Sequence, residues 1–506
     1  MRRGLRLSNA AIFAAILLFN AGLVLSVPAK AQDLSEFEKR LTEWTLPNGL
    51  NFLVFERHEV PVVSFHTYAD VGSVDEVAGN SGLAHLFEHL AFKGTKTIGT
   101  RNYQAEARAM AKMDETFEQI LAERRKGDKA DKVRLEKLDK QFQQAQQETK
   151  KYIIYDQFDE ILTRAGGRWL NAYTGKDATQ YVVSLPSNKV ELWMSLESDR
   201  FMNPVLREFY KEKEVVMEER RMSENNPSRR LYEEFFAIAY KAHPYGHPGL
   251  GFMSDLENLT RGKAEAFFKK YYSPPSLTIA IVGDVNPQEV KRLAQKYFGR
   301  IPGGAKPLPV TTVEPPQLGR RRVIIEDSAQ PLVIIGYHRP DINHSDNAVF
   351  EIISKILAEG RTSRLFKSLV KEKKIAVSAD AYSGGSKYPD LFVFNVTPAK
   401  GHTADECENA VYAEIEKLKT ETVSGEELKK AKTLCRAELI GQLESNTDLA
   451  GQLAFYQVLT GDWRNLFRQL DRINNVSAQD IQRVAAEYFI TKNSSVGIIQ
   501  TNAAAN

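Results

Sequence analysis

Apolar residues along this chain recur at two spacings. One is the every-second or continuous β-branched pattern of strands; the other is the three-to-four step of helices, and both halves mix the two. Residues 60–66, 277–282, 330–335 and 494–499 predict strands. Amphipathic stretches between them predict helices. Each half closes on the same order of helix, aromatic residue, polar turn and strand. Tyr271 and Tyr488 are 217 residues apart, as are Val282 and Ile499, whereas Pro61 and Pro331 in the opening strands are 270 apart. A repeated supersecondary unit predicts duplication, with about 53 extra residues in the first half. The surplus lies within 104–158, rich in Lys, Glu, Gln, Asp and Arg. There Met110, Met113, Phe117 and Ile120, then Leu135, Leu138, Phe142, Ala145 and Tyr152, form a seam broken at Lys126-Gly127-Asp128. That pattern predicts a helical hairpin. It would be a docking arm, a wall over a site, or a solvated insertion. The expected fold class is α+β. Two homologous domains, each a mostly antiparallel sheet packed with helices, span 32–300 and 321–506, with the hairpin in the first and a Pro/Gly-rich linker at 301–320.

Composition narrows the function classes. The chain has 506 residues, 42% hydrophobic and 26% charged, with 68 Lys+Arg against 65 Asp+Glu. Near balance gives no footprint for nucleic acid. Arg2, Arg3 and Arg6 precede an apolar run from Ala10 to Val27, and Ala29-Lys30-Ala31 fits a small-x-small cleavage site. Residues 1–31 are therefore expected to be a signal peptide of an exported, periplasmic protein with no stable membrane insertion after cleavage. An uncleaved anchor is the alternative. The two cysteines, Cys407 and Cys435, lie on the apolar stripes of expected helices at about 403–419 and 425–444. If these pair as an antiparallel hairpin a disulfide is possible; two buried free thiols are the favoured expectation.

The chemistry concentrates in His85-Leu86-Phe87-Glu88-His89. On a helix, i and i+4 share a face, so both imidazoles can bind one Zn²⁺, and Glu88 reaches the same patch. Leu83, Leu86, Phe87, Leu90 and Phe92 predict that the opposite face is buried. A third ligand must come from elsewhere. The helical stretch 209–222 carries Glu212, Glu214, Glu218 and Glu219, and its pattern leaves the choice among them open.

Several motifs, in order, resemble the pitrilysin/insulinase family of zinc peptidases, and most closely its processing-peptidase branch: residues 82–95 around His85, Glu88 and His89; 166–174 with Asn171-Ala172; 211–219 with Glu212 and Glu219; 243–248; and 360–365. The resemblance spans nearly all of the mature chain. It implies a zinc metalloendopeptidase that hydrolyses peptides or unfolded segments. One Zn²⁺ per chain would be held by His85, His89 and Glu219, with Glu88 as general base to a zinc-activated water and Glu212 as an orienting carboxylate. His89 and Glu219 are 130 residues apart, longer than the family's usual spacing by about the length of the hairpin. Asn171 and Ala172 are implied to lie on an edge strand to which a peptide substrate adds. Trp169 and Tyr173 either help line that region or pack as ordinary strand residues, the second being the favoured expectation, and His66, His243, His247 and His338 are expected to be structural.

One departure matters. Where active relatives place an Arg and, seven residues later, a Tyr, this chain has Val370 and Val377. The resemblance therefore implies a heterodimer with a homologous, zinc-less subunit that supplies the Arg/Tyr pair. The alternatives are a homodimer using Tyr382, Arg361 or Lys371, and a non-catalytic scaffold subunit.

Overall fold

The strand-like runs pair into two sheets with one connectivity. In the computed structural model, which describes residues 34–501, the first sheet contains β1 (Leu41–Thr45), β2 (Asn51–Glu56), β3 (Val62–Ala69), β4 (Arg168–Thr174), β5 (Thr179–Pro186) and β6 (Leu277–Gly283). Their order is β1-β2-β6-β3-β5-β4. The second contains β7 (Arg321–Asp327), β8 (Leu332–Arg339), β9 (Ala376–Ser383), β10 (Asp390–Pro398) and β11 (Ser494–Thr501), in the order β7-β11-β8-β10-β9. The last five strands of the first sheet and the five of the second thus follow one plan. Each has one parallel pair, β2–β6 or β7–β11, beside antiparallel ladders. β6 is buried along its whole length, which is why its sequence, Thr278 apart, is apolar rather than alternating. β4 and β9 end their sheets, each with one open edge.

Helices cover the sheets. α1 (Leu83–Leu90) follows β3. The long pair α2 (Tyr103–Arg124) and α3 (Lys132–Lys150) forms the expected hairpin, opened by Asn102, whose side chain accepts from the Ala105 amide, and turned at residues 127–129. α4 (Phe209–Glu224) and α5 (Pro227–Ala239) precede β6, while α6 (Asn347–Ala358) takes the place after β8 that α1 takes after β3. α7 (Ala404–Thr420), α8 (Gly425–Gln442), α9 (Asn446–Thr460) and α10 (Ala478–Tyr488) lead to β11. No helix among the described residues is long and apolar enough to cross a membrane. The expected signal peptide lies outside the described residues.

The hairpin is not a free arm at its base. Phe117 and Phe142 pack on each other and on Tyr210 of α4, with centroid separations of 4.6–5.6 Å. The Tyr210 hydroxyl donates to Asp114 at 2.9 Å. The seam residues read from the sequence therefore buttress α4.

The two halves exchange helices. α5 lies on β7, β8 and β11 of the second sheet, and α9 lies on β3 and β6 of the first. Gly336 permits the first contact: a Cβ there would stand 2.6 Å from the Phe235 ring. Apart from Leu41 at the start of β1, both sheets accordingly fall in one unit, which begins at Thr42.

Two local expectations are corrected. α7 and α8 do not turn back on each other as a hairpin; α7 packs on α10, and α8 on α6 and on the helix Asn465–Asn475 that carries Ile473, because those apolar surfaces compete better than a partner joined by a short turn. Cys407 and Cys435 are both buried and free. Trp169 does not pack in its strand: it is 78% exposed.

Arg207 organises the segment after α1. Fully buried, it donates to Glu106 Oε1 at 2.7 Å and to the carbonyls of Lys93, Thr95 and Ile98 at 2.5, 2.7 and 2.8 Å. Replacing it strands the buried Glu106 charge, so Arg207→Met is expected to cost about 3–5 kcal/mol in urea unfolding. A loss below about 1 kcal/mol, the scale of an exposed pair, would contradict this role.

Candidate metal centre and active site

The site begins with the placement of α1. Glu76, itself buried, accepts from the amides of Gly82 at 2.8 Å and Ala84 at 2.7 Å, satisfying donors that a helix start leaves free. Gly82 has φ 87°, and a Cβ there would meet the Leu250 carbonyl at 2.7 Å, so the entry to the helix requires glycine. Leu83, Leu86, Phe87 and Leu90 are buried, with Phe87 against Phe268 and Tyr272. That packing turns His85, Glu88 and His89 to the opposite, half-buried face.

α4 lies across that face. His85 Nε2 is 3.7 Å from Glu219 Oε2 and His89 Nε2 is 3.8 Å from Glu219 Oε1. One donor atom from each of the three residues lies within 4.8 Å of the others, the one such group among the described residues. These separations are too long for hydrogen bonds. They approach the roughly 3.3–3.6 Å between neighbouring ligands of a tetrahedral Zn²⁺ with bonds of about 2.0–2.2 Å. Two imidazoles and one carboxylate are also a donor set that zinc accepts while leaving a fourth position open. The residues present therefore fit the ion.

The surrounding groups sort the remaining acids. Glu212 is buried; its Oε2 lies 3.5 Å from His89 Nδ1 and its Oε1 takes the Lys93 ammonium at 2.8 Å. This arrangement directs His89 Nε2 toward Glu219. Burial opposes the charge on Glu212, but His89 and Lys93 hold its pKa below the ordinary value. Burial, reinforced by His89, pushes His85 down to about 4, so its ring is neutral and can offer a lone pair at neutral pH. Burial also disfavours the charged His89, yet Glu212 and Glu219 outweigh it and raise its pKa. Glu88 Oε2 accepts from the Thr174 hydroxyl at 2.6 Å. Burial raises the Glu88 pKa despite that hydrogen bond, which makes it a stronger proton acceptor.

Thr174 ends β4, so the open edge of the first sheet runs up to Glu88. Asn171 and Ala172 lie on that edge, three and two residues before Thr174. Beside His85 and Thr174 opens a cleft of about 620 Å³ whose walls include Tyr232, Phe236, Tyr245 and Leu250. Glu214 and Glu218 do not join the cluster. His66, His243 and His338 are held by Gln180, the Tyr245 amide and the Ala239 carbonyl, in keeping with structural roles. Val377 is exposed on the outer strand β9, and Val370 sits in a π-helical turn, Phe366–Glu372. Sequence reasoning missed Glu76, Lys93 and Thr174; Lys93 and Thr174 act on partners 119 and 86 residues away, and Glu76 reaches the helix start from a non-helical segment whose path no periodicity encodes.

The chain matches known proteins over most of its length. The family described as insulinase (peptidase family M16) matches residues 53–119 and 143–251, and the one described as peptidase M16 inactive domain matches 258–435. The chain is similar to the zinc protease PqqE of Helicobacter pylori, 30% identical over 453 residues, covering 88% of this chain and 89% of the relative. It is 24% identical to a probable mitochondrial-processing peptidase subunit beta of Schizosaccharomyces pombe, over 90% of each chain. A solved protease structure from Helicobacter pylori superposes with a TM-score of 0.76 at 29% identity, over 91% of this chain and 99% of the other. With the insulinase match in its first half and the inactive-domain match in its second, the chain belongs to the insulinase family of peptidases, family M16.

Proposed function

We propose that this chain is an exported zinc-dependent endopeptidase that cleaves extended peptides or unfolded segments. The observation that carries the reading is the convergence of His85, His89 and Glu219 within 4.8 Å, with Glu88 beside them at the end of an open sheet edge. In this reading those three residues hold one Zn²⁺ per chain. Bound there, zinc supplies Lewis acidity that lowers the pKa of water and polarises a scissile carbonyl.

The chain's own residues do the rest. A peptide adds to β4 alongside Asn171 and Ala172, which brings its backbone to Glu88 as an extended strand. Thr174 holds Glu88 Oε2, leaving Oε1 to take a proton from the attacking water and pass it to the leaving amine nitrogen. Glu212 fixes the His89 ring through Nδ1. The intact donor set favours a catalyst over a scaffold.

Val370 and Val377 carry no side-chain donor. A related, zinc-less subunit supplying an Arg and a Tyr is therefore the proposed partner, which the similarity to a processing-peptidase beta subunit supports. Purified chain alone should cleave a quenched peptide weakly, and co-expression with a related chain should raise that activity; full activity of the isolated chain would remove the need for the partner.

Glu88→Gln tests the base directly. It should retain zinc while turnover falls roughly 10²- to 10⁴-fold. Turnover within a few-fold of wild type would refute the assignment. Glu212→Ala should weaken zinc binding by about 10- to 100-fold, read by competition with a chelator, while thermal stability of the zinc-free protein changes far less. Equal chelator resistance in both proteins would show that Glu212 does not orient His89.

A further inference from the structure

The chain has four tryptophans, and three of them are buried: Trp44 at 9%, Trp193 at 2% and Trp463 at 1% exposure. Trp169 is 78% exposed. It sits on β4, the strand whose far end touches Glu88. Its backbone is also unusual. Arg168 pairs with Ser184 and Asn171 with Val182, so β4 carries one more residue than β5 across this step. The extra residue is a β-bulge, and Trp169 occupies it with φ 56°. Bulges place glycine in that left-handed conformation by default, because a Cβ is disfavoured there. A bulky aromatic side chain held in a disfavoured backbone region and turned into solvent is unfavourable twice over. Such an outlier points toward function.

The bulge also decides which way the neighbours face. Leu170 turns inward against the first core, while Trp169, Asn171 and the 44%-exposed Tyr173 share the outer side. Beyond Asn171 the bulge interrupts the ladder, so an added strand loses main-chain pairing there. A side-chain contact is what remains. Trp169 precedes Thr174 by five residues, roughly 16 Å along a strand rising about 3.3 Å per residue.

We infer that Trp169 is a specificity-determining residue that stacks on an aromatic or bulky apolar side chain of the bound peptide, about five residues from the scissile bond. The inference rests on the peptidase reading and on β4 as the strand to which a peptide adds. It implies a preference for long extended substrates over short ones. Once the peptide's backbone pairing ends at the bulge, the exposed indole supplies apolar contact and ring stacking.

Two measurements test it. The first compares a short quenched-fluorescent peptide with a long one sharing its core and carrying Phe, or Ala in a control, five residues from the cleaved bond on either side. In the wild type, Phe on one side should raise kcat/KM about 3- to 10-fold over Ala. In Trp169→Ala that ratio should fall to near one, and the long-to-short ratio should fall with it. A Phe/Ala ratio unchanged by the substitution would overturn the inference. The second uses zinc-loaded Glu88→Gln protein and the long Phe peptide. Iodide should quench Trp169 preferentially, and the peptide should shield it. Undiminished quenching at saturating peptide would overturn the inference. So would shielding that grows with protein concentration alone, since that assigns the indole to a contact between chains. If wild-type protein, both alone and co-expressed with a related chain, leaves the long and the short peptide intact, the peptidase reading fails, and the iodide measurement still decides whether Trp169 meets a peptide.

Discussion

Everything at the site depends on the packing of one short helix against one longer one. α1 brings two imidazoles and a carboxylate on a single turn, and α4 brings Glu219 and Glu212 from 130 and 123 residues beyond His89. The contact gathers three acids and two histidines where water is partly excluded, an arrangement that needs compensating positive charge. Lys93 supplies one part, on Glu212. Among the described residues no Lys or Arg is paired with Glu219, which faces only His85 and His89, and a divalent cation is the simplest complement to that group.

The supports of that contact are themselves buried and polar. Glu76 ties down the start of α1, Arg207 ties the segment after it to Glu106 on α2, and the hairpin aromatics press on Tyr210 at the start of α4. The insertion thus belongs to the scaffold of the site. Exchange of α5 and α9 between the sheets adds a second level of constraint, since neither half covers its own sheet alone. The edge strand β4 is held in turn from the second half: Lys176, just beyond Thr174, pairs with Asp390 at 3.1 Å.

Much of this was legible in the sequence where information is local. The repeat of a helix, turn and strand unit followed from constant offsets, the hairpin from its seam, and the face shared by His85, Glu88 and His89 from helical spacing. The choice of Glu219 over its acidic neighbours was not, because the phase of α4 relative to α1 is set by tertiary packing; only family resemblance pointed to it. Thr174 on Glu88 was invisible for the same reason, and Glu76 on the helix start because it lies in an irregular segment before the helix. The α7–α8 hairpin that would have allowed a disulfide does not form, because a short turn permits antiparallel packing without requiring it, and the thiols are free as favoured. Trp169 was misread because an apolar residue in a strand pattern looks packed, and a one-residue bulge leaves no mark on periodicity.

The central claim is that α1 and α4 together hold one zinc ion. X-ray absorption at the zinc edge, on protein reconstituted with one equivalent of Zn²⁺, tests it most directly. The account predicts a first shell of nitrogen and oxygen with two imidazole signatures, losing one in His85→Ala and altered in Glu219→Gln. A sulfur-containing shell, or a spectrum that neither substitution changes, would contradict it.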